Sequence, residues 1–370
     1  MKAIVAVSKH NSPVEAASEI AKGLALATEP LALVVVFASS AYDPNTLATE
    51  LGKQITVPFI GCTTAGEFAS GIVLKNGIVA LGLFSSLIRK VSIAAVENLS
   101  SGIELAQPLE VLAAPFGKPL SELDVRKHVG LVFVDGLSKA EEKLMEKLGD
   151  STDIIFVGGS AGDDLKFQAT YVFANGKAYT NAAVLALLEP AVPYKIVKTQ
   201  SFRVLNQKLV ATKVNEKERE VLEFNGLPAA KAYAQALGTT EEQLPNFFMQ
   251  NPVGLIADTE PFVRSPQQVK SNSVIFYCNV LEGMELALLD STDIVKDTHQ
   301  ALQQVEKELG SISAILNFHC ILRTLQLMQT PGKLEEYAQL FKAYPSIGFS
   351  TYGEQYLGHI NQTSTMLVFA

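Results

Sequence analysis

The phrase P-x-I-G-x-[ST]-T-x-G-E occurs twice in the chain, at residues 58–67 and again at 345–354, 287 positions later. No local rule of backbone conformation requires a chain to repeat such a phrase. It therefore indicates either a duplicated fold element or two parts of one site. Apolar runs precede both copies, "LALVVVFA" at 31–38 and "ISAILNFHCIL" at 312–322. Such runs are typical of strands that are covered on both faces in α/β proteins.

The first copy lies within a longer predicted unit of four strands and two helices. Ser12, Pro13 and Glu15 form a capping box with a proline at the first helical position, which predicts a helix start. Asn76-Gly77 predicts a turn after the phrase. The predicted elements are strands at 3–8, 31–38, 60–67 and 78–84 and helices at 13–28 and 44–54. The unit is therefore β-α-β-α-β-turn-β.

Two further stretches of the chain show the same order. The middle one has strands at 91–96, 128–136, 154–159 and 182–188, a helix at 101–114 and a helix capped by Ser138 and Glu141. Its phrase, G-G-S-A-G-D, is one residue shorter, which places Ser160 in the slot of Thr63 or Thr64 and Asp163 in that of Glu67. The last one has strands at 285–290, 312–322, 345–354 and 363–370 and helices at 292–309 and 333–343.

Helical crossovers join parallel strands, so the first three strands of each unit should be parallel and the last one antiparallel. The sequence therefore predicts an α/β fold of mixed sheets covered by helices, built from repeated β-α-β-α-β-β units in two lobes. Residues 190–284 fit the unit poorly, and Pro190 and Pro193 mark a seam. We expect one domain at 1–190, containing two units, and a second at 191–370.

Charge and composition exclude several classes of partner. The net charge is −8 and no basic run occurs, which argues against nucleic acid and anionic membranes. No apolar run approaches the ~20 residues of a membrane-spanning helix, and the N-terminus does not resemble a signal peptide. Cys62, Cys278 and Cys320 lack the spacing of a metal site, so buried reduced thiols are expected. We expect a cytoplasmic protein.

The two phrases can carry chemistry if they are extended. Alternation would then put a glycine, a hydroxyl and a carboxylate on one face of each strand. Glycine admits a close backbone or ligand, and the polar groups suit a small polar molecule at a sheet end. The alternative is that the phrases only define turns of the fold. The two faces are Gly61, Thr63, Ala65 and Glu67, and Gly348, Ser350, Tyr352 and Glu354.

"GGSAG" at 158–162 matches the G-x-S-x-G nucleophile elbow of hydrolases, with Ser160 as nucleophile. The elbow requires a helix after the serine. The residues that follow alternate like a strand and end in a hairpin signal at Asn175-Gly176. No dinucleotide, phosphate-loop, zinc-protease or kinase signature is present. The sequence therefore favours a protein that is not an enzyme, with a Ser160-dependent hydrolase as a weaker alternative.

"LNFHCILR" at 316–323 places polar residues in an apolar run. On an extended strand Asn317, His319 and Arg323 share one face. Buried polar groups need partners, so Arg323 either pairs with a carboxylate such as Glu354 or binds a carboxylate of a ligand. Likewise, His319 is either a satisfied core histidine or, like His359, a candidate haem ligand.

Six stretches together resemble the FIST family, with N-terminal and C-terminal FIST domains in tandem. The stretches are "GCTTAGE", "VGGSAGDD", "FNGLPAAKAYAQALG", "NFHCILR", "PSIGFSTYGE" and "NQTSTMLVFA". The resemblance implies a sensory, ligand-binding module of signal transduction, with amino acids among the proposed ligands. Some relatives are described as haem-binding nitric-oxide sensors that act with histidine kinases or cyclic-di-GMP enzymes. The two domains account for the chain, so we expect a separate signalling partner.

The resemblance and the residue patterns together name nine ligand-binding candidates. Arg323 would hold a ligand carboxylate, while the hydroxyls and Glu67 or Glu354 would recognise an amine. No cofactor or metal is expected, except that His319 or His359 would bind haem in the alternative. The candidates are Thr63, Thr64, Glu67, Gly159, Ser160, Asp163, Arg323, Tyr352 and Glu354.

Overall fold

A computed structural model describes residues 3–258 and 260–370. The described chain forms two compact units that are discontinuous in sequence. The larger unit contains the chain as far as Thr199 together with 298–359 and 364–370, and the smaller unit contains 200–297 and 360–363. Within the described ranges, no helix has the length and apolar character needed to cross a membrane.

The first segment of the larger unit follows the predicted order of elements. Ser12 caps the first helix by accepting a hydrogen bond from the amide of Glu15, and Pro13 begins it, as predicted. The elements are β1 (Ala3–Ser8), α1 (Pro13–Leu24), β2 (Leu31–Ser39), α2 (Pro44–Gln54), β3 (Phe59–Thr64), β4 (Glu67–Ala69), β5 (Ile72–Leu74) and β6 (Ile78–Phe84).

The second segment differs from the prediction at its second helix. Ser138 is not the N-cap, because its hydroxyl donates to the carbonyl of Asp135 in a turn and the helix begins only at Glu141. The elements are β7 (Ile88–Val96), α3 (Ala106–Ala113), short 3₁₀ helices (Ala114–Phe116 and Leu120–Glu122), β8 (Val129–Val134), α4 (Glu141–Ser151), β9 (Phe156–Ser160), β10 (Val172–Ala174), β11 (Lys177–Tyr179) and β12 (Ala183–Pro190).

The strand β13 (Tyr194–Gln200) precedes the smaller unit, in which an eight-stranded sheet packs against one helix. That helix ends at Gly238 in the left-handed conformation, as the sequence predicts. The elements are β14 (Phe202–Asn215), β15 (Glu220–Phe224), β16 (Leu227–Pro228), α5 (Ala229–Leu237), β17 (Val253–Ala257), β18 (Glu260–Arg264), β19 (Pro266–Lys270), β20 (Ser273–Phe276), β21 (Glu285–Ser291) and 3₁₀ helices at Glu216–Glu218 and Leu244–Phe247.

The last segment returns the chain to the larger unit. Its elements are α6 (Ile294–Leu309), β22 (Ala314–Cys320), α7 (Ile321–Met328), α8 (Lys333–Gln339), β23 (Ser346–Thr351), β24 (Glu354–Tyr356), β25 (His359–Ile360) and β26 (Thr363–Phe369).

Three six-stranded sheets build the larger unit, and four strands of each share one order. The orders are β1-β6-β2-β3, β7-β12-β8-β9 and β13-β26-β22-β23. The second and third strands of each segment are parallel, and the last strand is antiparallel to the second. These mixed sheets confirm the predicted α/β class.

The remaining edge of each sheet is covered by a hairpin from another segment. The hairpin β10–β11 of the second segment pairs with β3, β24–β25 of the last segment pairs with β9, and β4–β5 of the first segment pairs with β23. The exchange is cyclic, so no segment completes its own sheet. The covered strands lose the unpaired backbone edge that would otherwise invite association.

One core joins the three sheets. Phe37 on β2, Phe133 on β8 and Phe318 on β22 are mutual neighbours, with ring centroids 5.4, 5.8 and 6.3 Å apart. Alternate residues of β2, such as Val34 and Val36, face the other way and pack against α1 and α2. Each strand is therefore buried on both faces, which explains the continuous apolar runs in the sequence.

The glycine in each phrase lies very close to the backbone of the neighbouring strand. Gly61 lies opposite Val36 and Gly158 opposite Val132 in the parallel ladders. A Cβ atom added at Gly61 would lie 1.9 Å from the carbonyl oxygen of Val36, and one at Gly158 would lie 1.8 Å from that of Val132. Only a residue without a side chain allows the two strands to approach so closely.

Two boundaries differ from the prediction. The stretch 285–290, expected to open the last unit, belongs to β21 and pairs with β14 and β17 in the smaller unit. The place beside β26 is taken by β13, an edge strand whose half-exposed residues do not form an apolar run. The compact units also divide the chain differently from the predicted domains 1–190 and 191–370, which stay a prediction about family domains.

The close strand approach gives a test of stability. We expect Gly158→Ala to lower the free energy of unfolding by at least about 3 kcal/mol, because a backbone oxygen cannot rotate away from the added methyl group. Gly149→Ala is the matched control: this site on α4 has no heavy atom within 4 Å of the added Cβ, and the change should stabilise the protein by about 0.5–1 kcal/mol. Chemical denaturation of both variants measures their free energies of unfolding. Equal denaturation midpoints in Gly158→Ala and wild type would contradict the close strand approach.

Candidate functional site

Each phrase turns a corner instead of staying extended. β3 ends at Thr64, Gly66 has a φ of +125°, and Glu67 begins β4 in a different sheet. The prediction that Gly61, Thr63, Ala65 and Glu67 share one strand face is therefore wrong beyond Thr64. The same change of sheet separates β23 from β24 in the second copy.

A cavity of about 190 Å³ is lined by residues within or directly after all three phrases. The phrase at 58–67 contributes Ala65 and Gly66, and the phrase at 345–354 contributes Ser350. Asp164 and Leu165 directly follow the shorter phrase at 158–163. The hairpin β4–β5 and the helices α7 and α8 supply the remaining walls. These wall residues are Phe68, Val73, Leu74, Lys75, Ile321, Thr324, Leu325, Met328 and Leu334.

The cavity combines polar and apolar walls. The hydroxyls of Ser350 and Thr324 are hydrogen-bonded at 2.8 Å, and both side chains are buried. Lys75 is exposed at the rim, and the carboxylate of Asp164 accepts a hydrogen bond from Ser40 at 3.0 Å. Cavities that bind small molecules commonly have such a lining, mainly apolar with a few polar groups that fix orientation.

The loop beside the cavity is held by Asp163. Its carboxylate accepts hydrogen bonds from the hydroxyl of Tyr352 and from the amides of Phe167, Gln168 and Ala169. Burial raises the pKa of Asp163, but these hydrogen bonds together hold the pKa below its ordinary value. Charge-assisted bonds of this kind fix a loop more firmly than neutral ones.

Tyr352 completes the anchor of this loop. Its oxygen accepts from the amides of Asp163 and Leu165 at 3.2 and 2.7 Å, and its ring stacks on Phe167 with centroids 5.2 Å apart. Asp164, Leu165 and Phe167 have φ values between +51° and +62°, a region that non-glycine residues enter at a cost. The loop that carries the cavity residues Asp164 and Leu165 is thus strained and is held in place by Tyr352 and Asp163.

Tyr352→Phe should release this loop, because it removes one donor and one acceptor at once. We expect amide hydrogen exchange to quicken at Leu165 and Gln168, with a local loss of about 1–3 kcal/mol. Tyr194→Phe, which removes a hydroxyl bonded to the carbonyl of His128 elsewhere in the unit, should leave exchange in this loop unchanged. Unaltered exchange in Tyr352→Phe would mean that Asp163 holds the loop alone.

Glu67 is fully buried at the start of β4, between the cavity residues Gly66 and Phe68. Its carboxyl accepts a hydrogen bond from the hydroxyl of Thr64 and one from the amide of Gly77. Burial raises the pKa of Glu67 to about 8; the Asp164 carboxylate adds to the rise, and the two hydrogen bonds oppose it. The side chain is therefore mainly protonated at neutral pH.

This buried carboxyl makes stability depend on pH. Between about pH 5 and 8 the folded protein keeps the Glu67 proton, whereas the unfolded chain, with a carboxyl pKa near 4.5, has released it. Stability should therefore fall as pH rises across this range, by up to roughly 1 kcal/mol per pH unit from this group. Urea denaturation at several pH values should show that Glu67→Gln removes this component, while Glu15→Gln, in the first turn of α1, retains it. Identical pH profiles in wild type and Glu67→Gln would refute the assignment.

Thr63 and Ser160 occupy corresponding places and have protein partners. The Thr63 hydroxyl accepts from the amide of Tyr171 at 3.0 Å. The fully buried Ser160 donates to Glu141 at 3.4 Å and accepts from Gln355 at 3.0 Å. The chain between Ser160 and Val172, all of it described, contains no helix, so the nucleophile elbow is not formed.

The sequence predicts that Asp163 takes the place of Glu67 in the second phrase, but the strand pairing shows that it does not. Glu67 pairs with Phe349 and Glu354 with Gly159, whereas the corresponding place opposite Cys62 is held by Val172. The residues 164–171 form a loop instead of the expected strand. Asp163 directly precedes that loop, and its carboxylate accepts hydrogen bonds from the loop amides.

Arg323 is helical, which corrects the prediction that it shares a strand face with Asn317 and His319. β22 ends at Cys320 and α7 begins at Ile321, so Arg323 lies in the first turn of a helix. Its guanidinium is buried and donates to the hydroxyl of Thr298 at 3.1 Å. A short apolar run is compatible with a strand and with a helix, so the sequence does not show that β22 ends and α7 begins between Cys320 and Ile321.

The two candidate haem ligands are both buried. The ring of His319 has neighbours in Phe68, at 5.6 Å between centroids, and Tyr337, at 4.4 Å. His359 lies with its Nδ1 atom 3.1 Å from the amide nitrogen of Gln355. A porphyrin would have to displace the aromatic neighbours to reach His319, so this packing does not fit haem. Among the described residues no group of metal-binding side chains occurs.

None of the nine predicted binding residues, all of them described, lines the cavity. Thr64, Glu67, Asp163 and Arg323 are chain neighbours of residues that line it, and the binding role of all nine stays a prediction. Sequence reasoning did not name Lys75, Asp164, Thr324 or Met328. Asp164 could have been considered as the second acidic residue of "GDD", but Thr324 and Met328 become visible only when 321–328 is recognised as a helix.

Comparison with known proteins gives a consistent result. The family model described as the FIST N domain matches residues 32–227, and the one described as the FIST C domain matches residues 229–357. The chain is also similar to the uncharacterised protein MJ1623 of Methanocaldococcus jannaschii, with 22% identity over 300 residues. That match covers 75% of this chain and 57% of the relative, so the chain spans little more than half of the relative's length.

Proposed function

Because the chain belongs to the FIST family, whose domains are sensory domains that bind small ligands, we propose that it is a non-catalytic sensor of an amino acid or a related small carboxylate. The observation that carries the proposal is that residues within or directly after all three phrases line one cavity. A fold that needed the phrases only as turns would not have to bring residues of all three together around a common cavity.

The lining supports this ligand class. Lys75 at the rim offers a cation to a carboxylate, and Asp164 offers an anion to an ammonium group. These two residues take the roles that the sequence suggested for Arg323 and for Glu67 or Glu354. Phe68, Leu325 and Met328 would cover the carbon skeleton. At about 190 Å³ the cavity is below the roughly 300–1,000 Å³ of drug-sized sites, which favours a small metabolite.

The wider setting is part of the same proposal. The protein would work in the cytoplasm and pass its signal to a separate protein, such as a histidine kinase or a cyclic-di-GMP enzyme. Support comes from the family's sensory character and from the acidic net charge of −8, which does not suit nucleic acid.

A thermal-shift screen of the protein amino acids and small carboxylates tests the proposal. A ligand at a hundredfold excess over its Kd should stabilise the protein by about 2.7 kcal/mol. Lys75→Met keeps the length of the side chain and removes its charge, so it should weaken binding about tenfold. Lys22→Met, in the last turn of α1, is the matched control and should respond like wild type.

Two results would contradict the proposal in different ways. If no amino acid or carboxylate raises the melting temperature of wild type, the ligand class is wrong. If a ligand is found but Lys75→Met and wild type respond alike, the ligand binds elsewhere in the protein.

A further inference from the structure

His319 has an unusual environment for a buried histidine. Its side chain is fully buried, and neither Nδ1 nor Nε2 has a hydrogen-bond partner among the described residues. Burial, together with the nearby Arg323 guanidinium, holds the pKa of His319 well below its ordinary range. The ring is therefore neutral and carries one N–H donor and one acceptor nitrogen. The prediction of a satisfied core histidine does not hold.

The neighbours of this ring do not supply the missing bonds. Tyr337 packs against it, but the Tyr337 hydroxyl is engaged with the side-chain amide of Asn317 at 2.9 Å. Phe68 packs against it in a T-shaped arrangement and has no polar atom in its side chain. Each unsatisfied buried polar group costs about 1–3 kcal/mol, and such groups are rare in folded proteins. An apolar side chain at this place would avoid that cost.

His319 lies directly behind the wall of the cavity. It is opposite Ser350 in the parallel ladder of β22 and β23, and Phe68 is opposite Gly348 on the next strand. Paired residues project to the same side of a sheet, so His319, Ser350 and Phe68 share one face. Ser350 and Phe68 both line the cavity, and the Ser350 hydroxyl contacts Thr324 there.

We propose that His319 determines the specificity of the cavity by pairing with an uncharged polar group at the inner end of the ligand. The inference rests on the proposed function. A hydroxyl or a carboxamide presents a donor and an acceptor together and can satisfy both ring nitrogens. A carboxylate has no donor for the acceptor nitrogen, and an ammonium group would face the Arg323 guanidinium. The favoured class is therefore an amino acid with a short, uncharged polar side chain.

The outer and inner ends of the ligand then have separate partners. Lys75 and Asp164 at the rim bind the charged amino-acid group, and His319 reads the side chain. In the cavity wall the hydroxyls of Ser350 and Thr324 are hydrogen-bonded to each other, and each can rotate to donate or accept. This arrangement distinguishes molecules of equal shape by their hydrogen bonds, which is an effective way to reject an apolar isostere.

Isothermal titration of the full chain with two isosteric pairs, L-threonine with L-valine and L-asparagine with L-leucine, tests the proposal. Wild type should bind the polar member of at least one pair about tenfold more tightly. His319→Leu should bring that ratio to one or below, while the affinity for the apolar member stays within about threefold. His319→Gln, which keeps a donor and an acceptor, should preserve part of the preference.

The control is His128→Leu, since His128 is also buried but has its Nδ1 atom 2.9 Å from the carbonyl of Asp124. This variant should keep the wild-type ratio. A ratio of one in wild type, or an unchanged ratio in His319→Leu, overturns the role of His319 even if binding still depends on Lys75. If none of the four probes binds wild type, the inference fails, whereas the proposed function fails only if the wider thermal-shift screen also finds no ligand. Should His319→Leu not fold, His319→Phe, which keeps an aromatic ring without a donor or an acceptor, takes its place: loss of the preference supports the pairing, and an unchanged ratio overturns it.

Discussion

The exchange of hairpins among the three sheets is the constraint on which the larger unit depends. Each hairpin follows the phrase of its own segment, directly in the first and last segments and after the loop 164–171 in the second, and completes the sheet of another segment. The three sheets can therefore form only together, around the cluster of Phe37, Phe133 and Phe318. The cavity is a consequence of this exchange, because β4–β5 brings its side chains beside β23 and α7. The cavity is therefore lined by three segments that are far apart in sequence.

Much of this fold could be predicted where the signal is local. The capping residues at Ser12 and Pro13 located α1, Gly238 ended α5, and the apolar runs located the central strands. The exchange could not be predicted, since nothing in residues 67–74 indicates which strand edge they will join. β13 was missed because an edge strand that is only half covered lacks the apolar run of a central strand.

The candidate site was predictable only in part, for a related reason. Residues within or directly after the phrases line the cavity, but a strand period carried past Thr64 put Glu67 on the wrong face. The corner at Gly66 moves Glu67 into a buried position, where its carboxyl keeps a proton at neutral pH. The helical wall of the cavity was hidden in an apolar run that continues β22 without a break. Burial and sheet exchange, which are long-range effects, decide what each polar residue of a phrase does.

The three phrases show how one backbone requirement leads to different chemistry. In each, a glycine faces the neighbouring strand's backbone, and a hydroxyl follows two residues later: Thr63, Ser160 or Ser350. The close approach of the strands accounts for the recurrence without any ligand. What differs is the side chain that the exchanged hairpin places beside the hydroxyl.

Gln355 and Phe68 occupy matching places in this respect, opposite Gly158 and Gly348. Gln355 donates to Ser160, so this hydroxyl is satisfied within the protein. Phe68 cannot donate, and Ser350 is left with Thr324 at the wall of a cavity, with the unsatisfied His319 behind it. A single difference between an amide and an aromatic ring thus separates a hydroxyl that is satisfied by the hairpin from one that lies in the cavity wall.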